Sequence, residues 1–308
     1  MSQWDQGGRK MDERRTKWHG VFVPVVTPFT KNYEFDEGAC RQIIDTLIND
    51  GVHGIIVAGS TGEWFTMNDS ERIRLFEVAK DHVKGRVTLL GGTSAIATRD
   101  AVALTKAAKD IGLDGTLVLP PPYALPNDRE VLAFYEAVAS VSLPIMVYNN
   151  PGRTQINITA RLAEKLTLFP SIVALKDSTK DLYQMAETLR SVGHRLAVFC
   201  GLEPYALPLL QRGAVGVVAM APNIMGRKAV DLYTHAAAGR WPEAVKVEGI
   251  IDRLYTAFYM GGYGAYVVIK ECMNLVGRHG GWPRPPLMPM AENDRNALKR
   301  VLQELGLL

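Results

Sequence analysis

A lysine closes the apolar run 172-IVALK-176. A short continuous run of this kind reads as a strand covered on both faces, and an ammonium at its end loses hydration. Burial disfavours the charged form, so Lys176 either pairs with a carboxylate, Glu63 and Glu203 being candidates, or stands as a free amine near neutral pH. Its neighbour Asp177 belongs on the opposite face of the strand. A free amine facing a cavity adds to carbonyl carbon and forms a Schiff base. The rival amine, Lys270 in 266-YVVIKECM-273, sits in a helical pattern, which points to a structural pair or a snorkelling stem.

Three further groups carry possible chemistry. Tyr148 ends the run 143-LPIMVYN-149, just before the turn signal 149-NNPGR-153. A phenol there can hand protons on, or it is a core tyrosine. Arg153 can grip a carboxylate with two parallel hydrogen bonds, or it is a surface arginine. The stretch 59-GSTGEW-64 reads as a capping box, Ser60 with Glu63, opening a helix. The same geometry would present the Ser60 and Thr61 hydroxyls and several N–H groups to a small carboxylate.

These residues need a scaffold that gathers them. Candidate strands are 21–26, 52–58, 86–92, 114–120, 143–149, 172–176, 196–200 and 215–220. Between them lie amphipathic helical patterns such as 36–50 and 99–112, the latter ending at Gly112 as a cap. Eight buried strands, each followed by a helix, predict a (β/α)8 TIM barrel of α/β class with additional C-terminal helices. A doubly wound sheet would show G-x-G-x-x-G after its first strand, where this chain has 27-TPFTKNYEF-35. In a barrel the reactive groups collect at the C-terminal strand ends, and Lys176, Tyr148 and the 59–64 stretch all fall there. The expected organisation is a flexible extension over 1–18, a barrel core over 19–224, and a last barrel helix with a helical region packed on the barrel over 225–308. Within that region 242–260, 264–277 and 292–306 are amphipathic.

Composition removes other classes. The chain has 308 residues, 47% apolar and 22% charged, with a net charge of +3 from mixed signs. That balance argues against nucleic acid and anionic membrane surfaces as partners, and no run is long enough to span a bilayer. Cys40, Cys200 and Cys272 lie far apart, which fits a reducing cytoplasm and neither a disulfide framework nor a metal site. The six histidines show no i, i+4 pairing, and no dinucleotide fingerprint is present, so no metal and no cofactor is expected.

Taken in order, GSTGE, PPY, YNNPGRT and ALKDST, with 22-FVPVVTPF-29 and 213-GAVGVV-218, resemble the dihydrodipicolinate synthase/N-acetylneuraminate lyase family of Schiff-base lyases. The resemblance runs from Gly20 to at least residue 280. It implies that Lys176 condenses with the keto group of pyruvate or a related 2-oxo acid and that Ser60 and Thr61 hold the acid's carboxylate. Tyr148 would shuttle protons in a relay with the Ser60 hydroxyl and Tyr123, the last supplied by a neighbouring subunit. A homo-oligomer, dimer or tetramer, follows from that role. Gly201 and Val218 complete the implied substrate-binding set, and Arg153 matches the arginine that receives the carboxylate of aspartate semialdehyde.

The resemblance is therefore closest to 4-hydroxy-tetrahydrodipicolinate synthase, a class I carbon–carbon or carbon–oxygen lyase. Ser60 in place of the usual threonine, and 201-GLEP-204, depart from the synthase pattern and keep an aldolase, dehydratase or deaminase of the same family as the alternative. Where lysine-inhibited synthases bind lysine, this chain has Trp64, Asp69, Arg72, Ile96 and Pro122, so that pocket is largely lost. A phosphosugar aldolase is disfavoured because the loops after strands seven and eight hold no glycine cluster and no basic residue before Arg227. A barrel that only binds would not need the set Lys176, Tyr148, Tyr123, Ser60 and Arg153.

Overall fold

The computed structural model describes residues 10–13 and 15–308. Its apolar runs form eight parallel strands that close into a barrel in sequence order, as the alternation of runs and helices predicts. The strands are β1 (Gly20–Pro24), β2 (Gly54–Val57), β3 (Thr88–Gly92), β4 (Gly115–Val118), β5 (Ile145–Asn149), β6 (Ile172–Asp177), β7 (Ala197–Cys200) and β8 (Gly216–Val218). Every residue of β1, β2, β4, β5, β7 and β8 is buried, which is why these segments read as unbroken apolar stretches rather than alternating ones.

The helices are α1 (Glu37–Asn49), α2 (Asp69–Val83), α3 (Thr98–Ile111), α4 (Asp128–Ala139), α5 (Pro151–Thr154), α6 (Ala160–Leu166) and α7 (Leu182–Val192). They continue with α8 (Ala206–Gln211), α9 (Pro222–Met225), α10 (Arg227–Ala237), α11 (Trp241–Ala257), α12 (Ala265–Leu275) and α13 (Glu292–Glu304).

The chain divides into two compact units. The first holds the residues up to Gly20 and Leu90–Val218. Within it β4, β5, β6 and β7 pair in register so that Tyr148 stands opposite Lys176, and Lys176 opposite Phe199. Its helices pack in sequence, α3 on α4, α4 on α6, α6 on α7 and α7 on α8. Gly112 ends α3 in a left-handed conformation (φ 87°), the cap its position implies. Asn127 and Glu130 close a reciprocal capping box at the start of α4. Of the expected extension, residues 1–9 and 14 lie outside the described residues. The Asp12 amide donates to His194 O at 2.9 Å, and Arg15 Nε donates to Leu196 O at 3.1 Å.

The second unit holds Val21–Leu89 and Ala219–Leu308. Here β1 pairs with β2, α1 packs on α2, and α12 packs on α9 and α13. One local expectation fails in this unit. Glu63 does not cap a helix with Ser60; its backbone is left-handed (φ 56°, ψ 39°), and only a three-residue 3-10 turn, Trp64–Thr66, follows. The true helix start is α2, where Asn68 and Glu71 form the capping box. The physical reason is competition for the Glu63 carboxylate. It is fully buried and ion-paired with Lys270 of α12, and its other oxygen accepts the Arg284 amide at 3.1 Å.

Candidate active site at the end of β6

Lys176 is the penultimate residue of β6 and is 5% exposed. The Asp177 carboxylate accepts the Thr179 amide through one oxygen at 3.0 Å, and the acidic groups that act on Lys176 are Glu203 and Cys200 rather than its neighbour. Burial brings the Lys176 amine down to about 7, against the weaker opposing pull of Glu203 and Cys200. Its Nζ lies 3.8 Å from the centroid of the Tyr148 ring. An aromatic face is worth about 0.5–2 kcal/mol to a cation, which offsets only part of the desolvation that favours the free amine.

Gly201 follows β7 directly and passes beneath this lysine. A Cβ at that position would fall 2.1 Å from Ser178 Oγ and 3.0 Å from Lys176 Cε. The Asp177 carbonyl oxygen would lie 2.8 Å away, so a side chain there would collide with the end of β6 and crowd the lysine stem, and that close approach is what the glycine permits. Ser178 Oγ donates to Gly201 O at 3.1 Å, tying the end of β6 to the loop after β7. Asp177 is itself pushed up to about 6 by burial.

Tyr148 ends β5 one residue early, buried beside Lys176. Burial raises its phenol above the ordinary value, while the hydrogen bond from the Asn150 amide, the Ser178 hydroxyl nearby and the charge of Arg153 pull it back. Arg153 sits on α5, exposed, and acts on Tyr148 through its charge. The structure therefore brings Lys176, Tyr148 and Gly201 together, with Arg153 at electrical range. Val218 closes β8 and is buried. Tyr123 lies in the loop after β4, 89% exposed, with a left-handed backbone (φ 73°). Ser60 and Thr61 belong to the second unit, in the loop after β2, Thr61 buried and Ser60 half-buried.

Lys270, the rival amine, is committed elsewhere. It is 1% exposed, ion-paired with Glu63, and donates to Trp282 O at 2.8 Å. Two polar groups at Tyr148, Asn150 and Ser178, were absent from the sequence-derived set. Strand alternation places residue 150 on the same side as residue 148, so the signal for Asn150 was present.

Comparison with known proteins extends over almost the whole chain. The model of the dihydrodipicolinate synthetase family matches residues 17–305. An uncharacterised DapA-like lyase of Rhizobium meliloti is 42% identical over 294 residues, covering 96% of this chain and 98% of that protein. A 4-hydroxy-tetrahydrodipicolinate synthase of Methanospirillum hungatei is 34% identical over 288 residues, covering 92% and 98%. Among solved structures, a prophage protein of the dihydrodipicolinic acid synthase family from E. coli K12, in complex with pyruvate, superposes with a TM-score of 0.91 at 28% identity, covering 95% of this chain and all of that one.

Proposed function

Because this chain belongs to the dihydrodipicolinate synthetase family, we propose that it is a class I lyase that joins Lys176 to the keto carbon of pyruvate or a related 2-oxo acid. The observation that carries this reading is the Lys176 amine, brought near neutrality by burial against the face of Tyr148. An amine titrating near 7 is about half unprotonated at neutral pH, whereas an ordinary lysine is almost wholly protonated there.

Nζ adds to the keto carbon as the C=O π bond opens, and a proton passes from nitrogen to that oxygen to give a carbinolamine. Tyr148 Oη delivers its proton to the departing hydroxyl, which leaves as water, and the resulting C=N bond carries the positive charge. The phenolate then takes a proton from the adjacent carbon, and the electron pair moves toward nitrogen, giving an enamine. The imine is its own electron sink, so the reading calls for neither metal nor cofactor. Ser60 and Thr61 take the carboxylate of the 2-oxo acid, with Gly201 and Val218 lining the site. Tyr148→Phe should slow exchange of the pyruvate methyl protons with D2O by about 10²-fold, followed by NMR; an unchanged rate removes Tyr148 from proton transfer.

In the synthase-like direction the enamine adds to an aldehyde whose carboxylate Arg153 receives. A second reading, an aldolase, dehydratase or deaminase, draws on Ser60 and 201-GLEP-204. Turnover of pyruvate with an acidic aldehyde separates the two. The same reading makes the protein a cytoplasmic homo-oligomer, dimer or tetramer, in which the exposed Tyr123 enters a neighbouring subunit's site. Among the described residues, no helix is long and apolar enough to cross a membrane.

Feedback by lysine has no place in this reading. Trp64 and Arg72, at positions implied for the amino acid, stack on each other, the guanidinium carbon 5.3 Å from the indole centroid. Millimolar lysine should leave the turnover rate unchanged, and a substantial fall would restore a regulatory pocket. The decisive test of the whole reading is borohydride reduction in the presence of pyruvate. An adduct on the peptide containing Lys176 is the expected mass-spectrometric result, and an unmodified peptide at saturating pyruvate would sink it.

A further inference from the structure

Asn150 touches the atom through which the proposed proton transfers run. Its Nδ2 donates to Tyr148 Oη at 2.8 Å. The contact follows from the chain: residues 148 and 150 fall on one side of an extended segment. Pro151 keeps Asn150 out of the helical region (φ −145°, ψ 78°). The Asn150 backbone is pinned from the other side as well, because its carbonyl accepts the Arg153 amide at 3.0 Å, the Thr154 amide at 3.1 Å and Thr154 Oγ1 at 3.2 Å. A half-buried side-chain amide is thus held against a buried phenol.

A phenol oxygen that accepts an N–H keeps its own hydrogen free to point at a reacting group. The same N–H stabilises the phenolate left when that hydrogen departs, and it does so most where water is scarce. An apolar side chain at 150 would supply neither effect. We propose that Asn150 is a positioning residue that sets the acidity and orientation of Tyr148, and so the pH window in which the enzyme moves protons to and from the imine. The inference rests on the reading that Tyr148 carries those protons.

The other groups of the first unit that face Tyr148 are Lys176 across its ring, the Ser178 hydroxyl at its oxygen and the charge of Arg153 on α5. Asp177, beside Lys176 on β6, is turned to the Thr179 amide, and Glu203 and Cys200 act on the lysine. On the other flank β4 brings only Gly115–Val118, with no titratable side chain. Burial lifts the phenol, and Asn150 is the first of the groups that bring it back.

The test needs only pyruvate. Exchange of its methyl protons with D2O, measured by NMR across pH, reports the proton leaving the imine's methyl carbon for Tyr148 Oη and a deuteron returning. Borohydride trapping reports the imine separately. Asn150→Val should slow exchange about tenfold, move the alkaline limb of the profile to higher pH, and still allow trapping. Asn150→Asp, which accepts the phenol's hydrogen and repels the phenolate, should slow it further. In a Tyr148→Phe background Asn150→Val should cost nothing more, because the two residues act through one oxygen. An alkaline limb that stays in place, or an equal loss in both backgrounds, overturns the proposal and reduces Asn150 to a structural role. Wild-type protein that forms no adduct with pyruvate instead brings down the underlying reading, and the proposal with it.

Discussion

Lys176→Ala abolishes borohydride-dependent labelling by pyruvate and with it all exchange of the methyl protons. The rival amine, Lys270, is held in a structural ion pair. Lys270 is buried at 1% exposure with its ammonium held by Glu63 and by Trp282 O, and it points its charge at the face of Phe29, 4.5 Å from the ring centroid. In the wild-type protein the labelling rate should climb as pH rises through about 7, the value to which burial brings the Lys176 amine. The sign follows from the nucleophile: only the unprotonated amine adds to a carbonyl, and its fraction grows with pH until it saturates above that value. A labelling rate that rises only near the ordinary lysine range would mean a solvated, unperturbed amine. Labelling that survives in Lys176→Ala would shift the chemistry to Lys270 and require the Glu63 pair to open.

Glu63→Ala should destabilise the fold by about 3–5 kcal/mol, measured as a lowered denaturant midpoint. The substitution leaves the Lys270 ammonium buried without its counter-charge. Burial already brings Lys270 down to about 8 even with Glu63 pulling the other way, so the amine is poorly solvated in the intact protein. The carboxylate also anchors chain. Glu63 Oε2 accepts the Arg284 amide, and the Arg284 guanidinium donates to Thr66 O at 3.1 Å and to Glu71 Oε2 at 2.9 Å while stacking on Phe29. The loop that carries Ser60 and Thr61 is held at its far end by this cluster, and Thr27 Oγ1 fastens it at Gly62 O with a 2.8 Å hydrogen bond. Removing both charges in Glu63→Gln/Lys270→Met should cost much less than removing one, since the penalty lies in the orphaned ion and not in the lost attraction. Equal losses in the single and double variants would show that packing, not charge, makes the site costly to change.

Much of the architecture was legible before any coordinates. Six of the eight strands fall within the apolar runs, trimmed by up to two residues at an end, and β1 and β6 each run one residue past them, because a strand covered on both faces must be apolar at nearly every position. The place of Lys176 at a strand terminus was legible for the same reason, as were Tyr148 before its turn and the structural pairing of Lys270. These are local properties, written in runs and breakers a few residues long. The partner of Glu63 was not of that kind. Its spacing from Ser60 fits a capping box, yet its carboxylate is claimed by a lysine on α12, and the backbone accepts a left-handed conformation to reach it. Nor does any pattern say how far burial lowers an amine, since that depends on which strands flank Lys176 and on the glycine that lets its stem pass. Hydrophobic order along a chain specifies which segments are buried, whereas the protonation of a buried group is set by neighbours that meet only when distant segments pack.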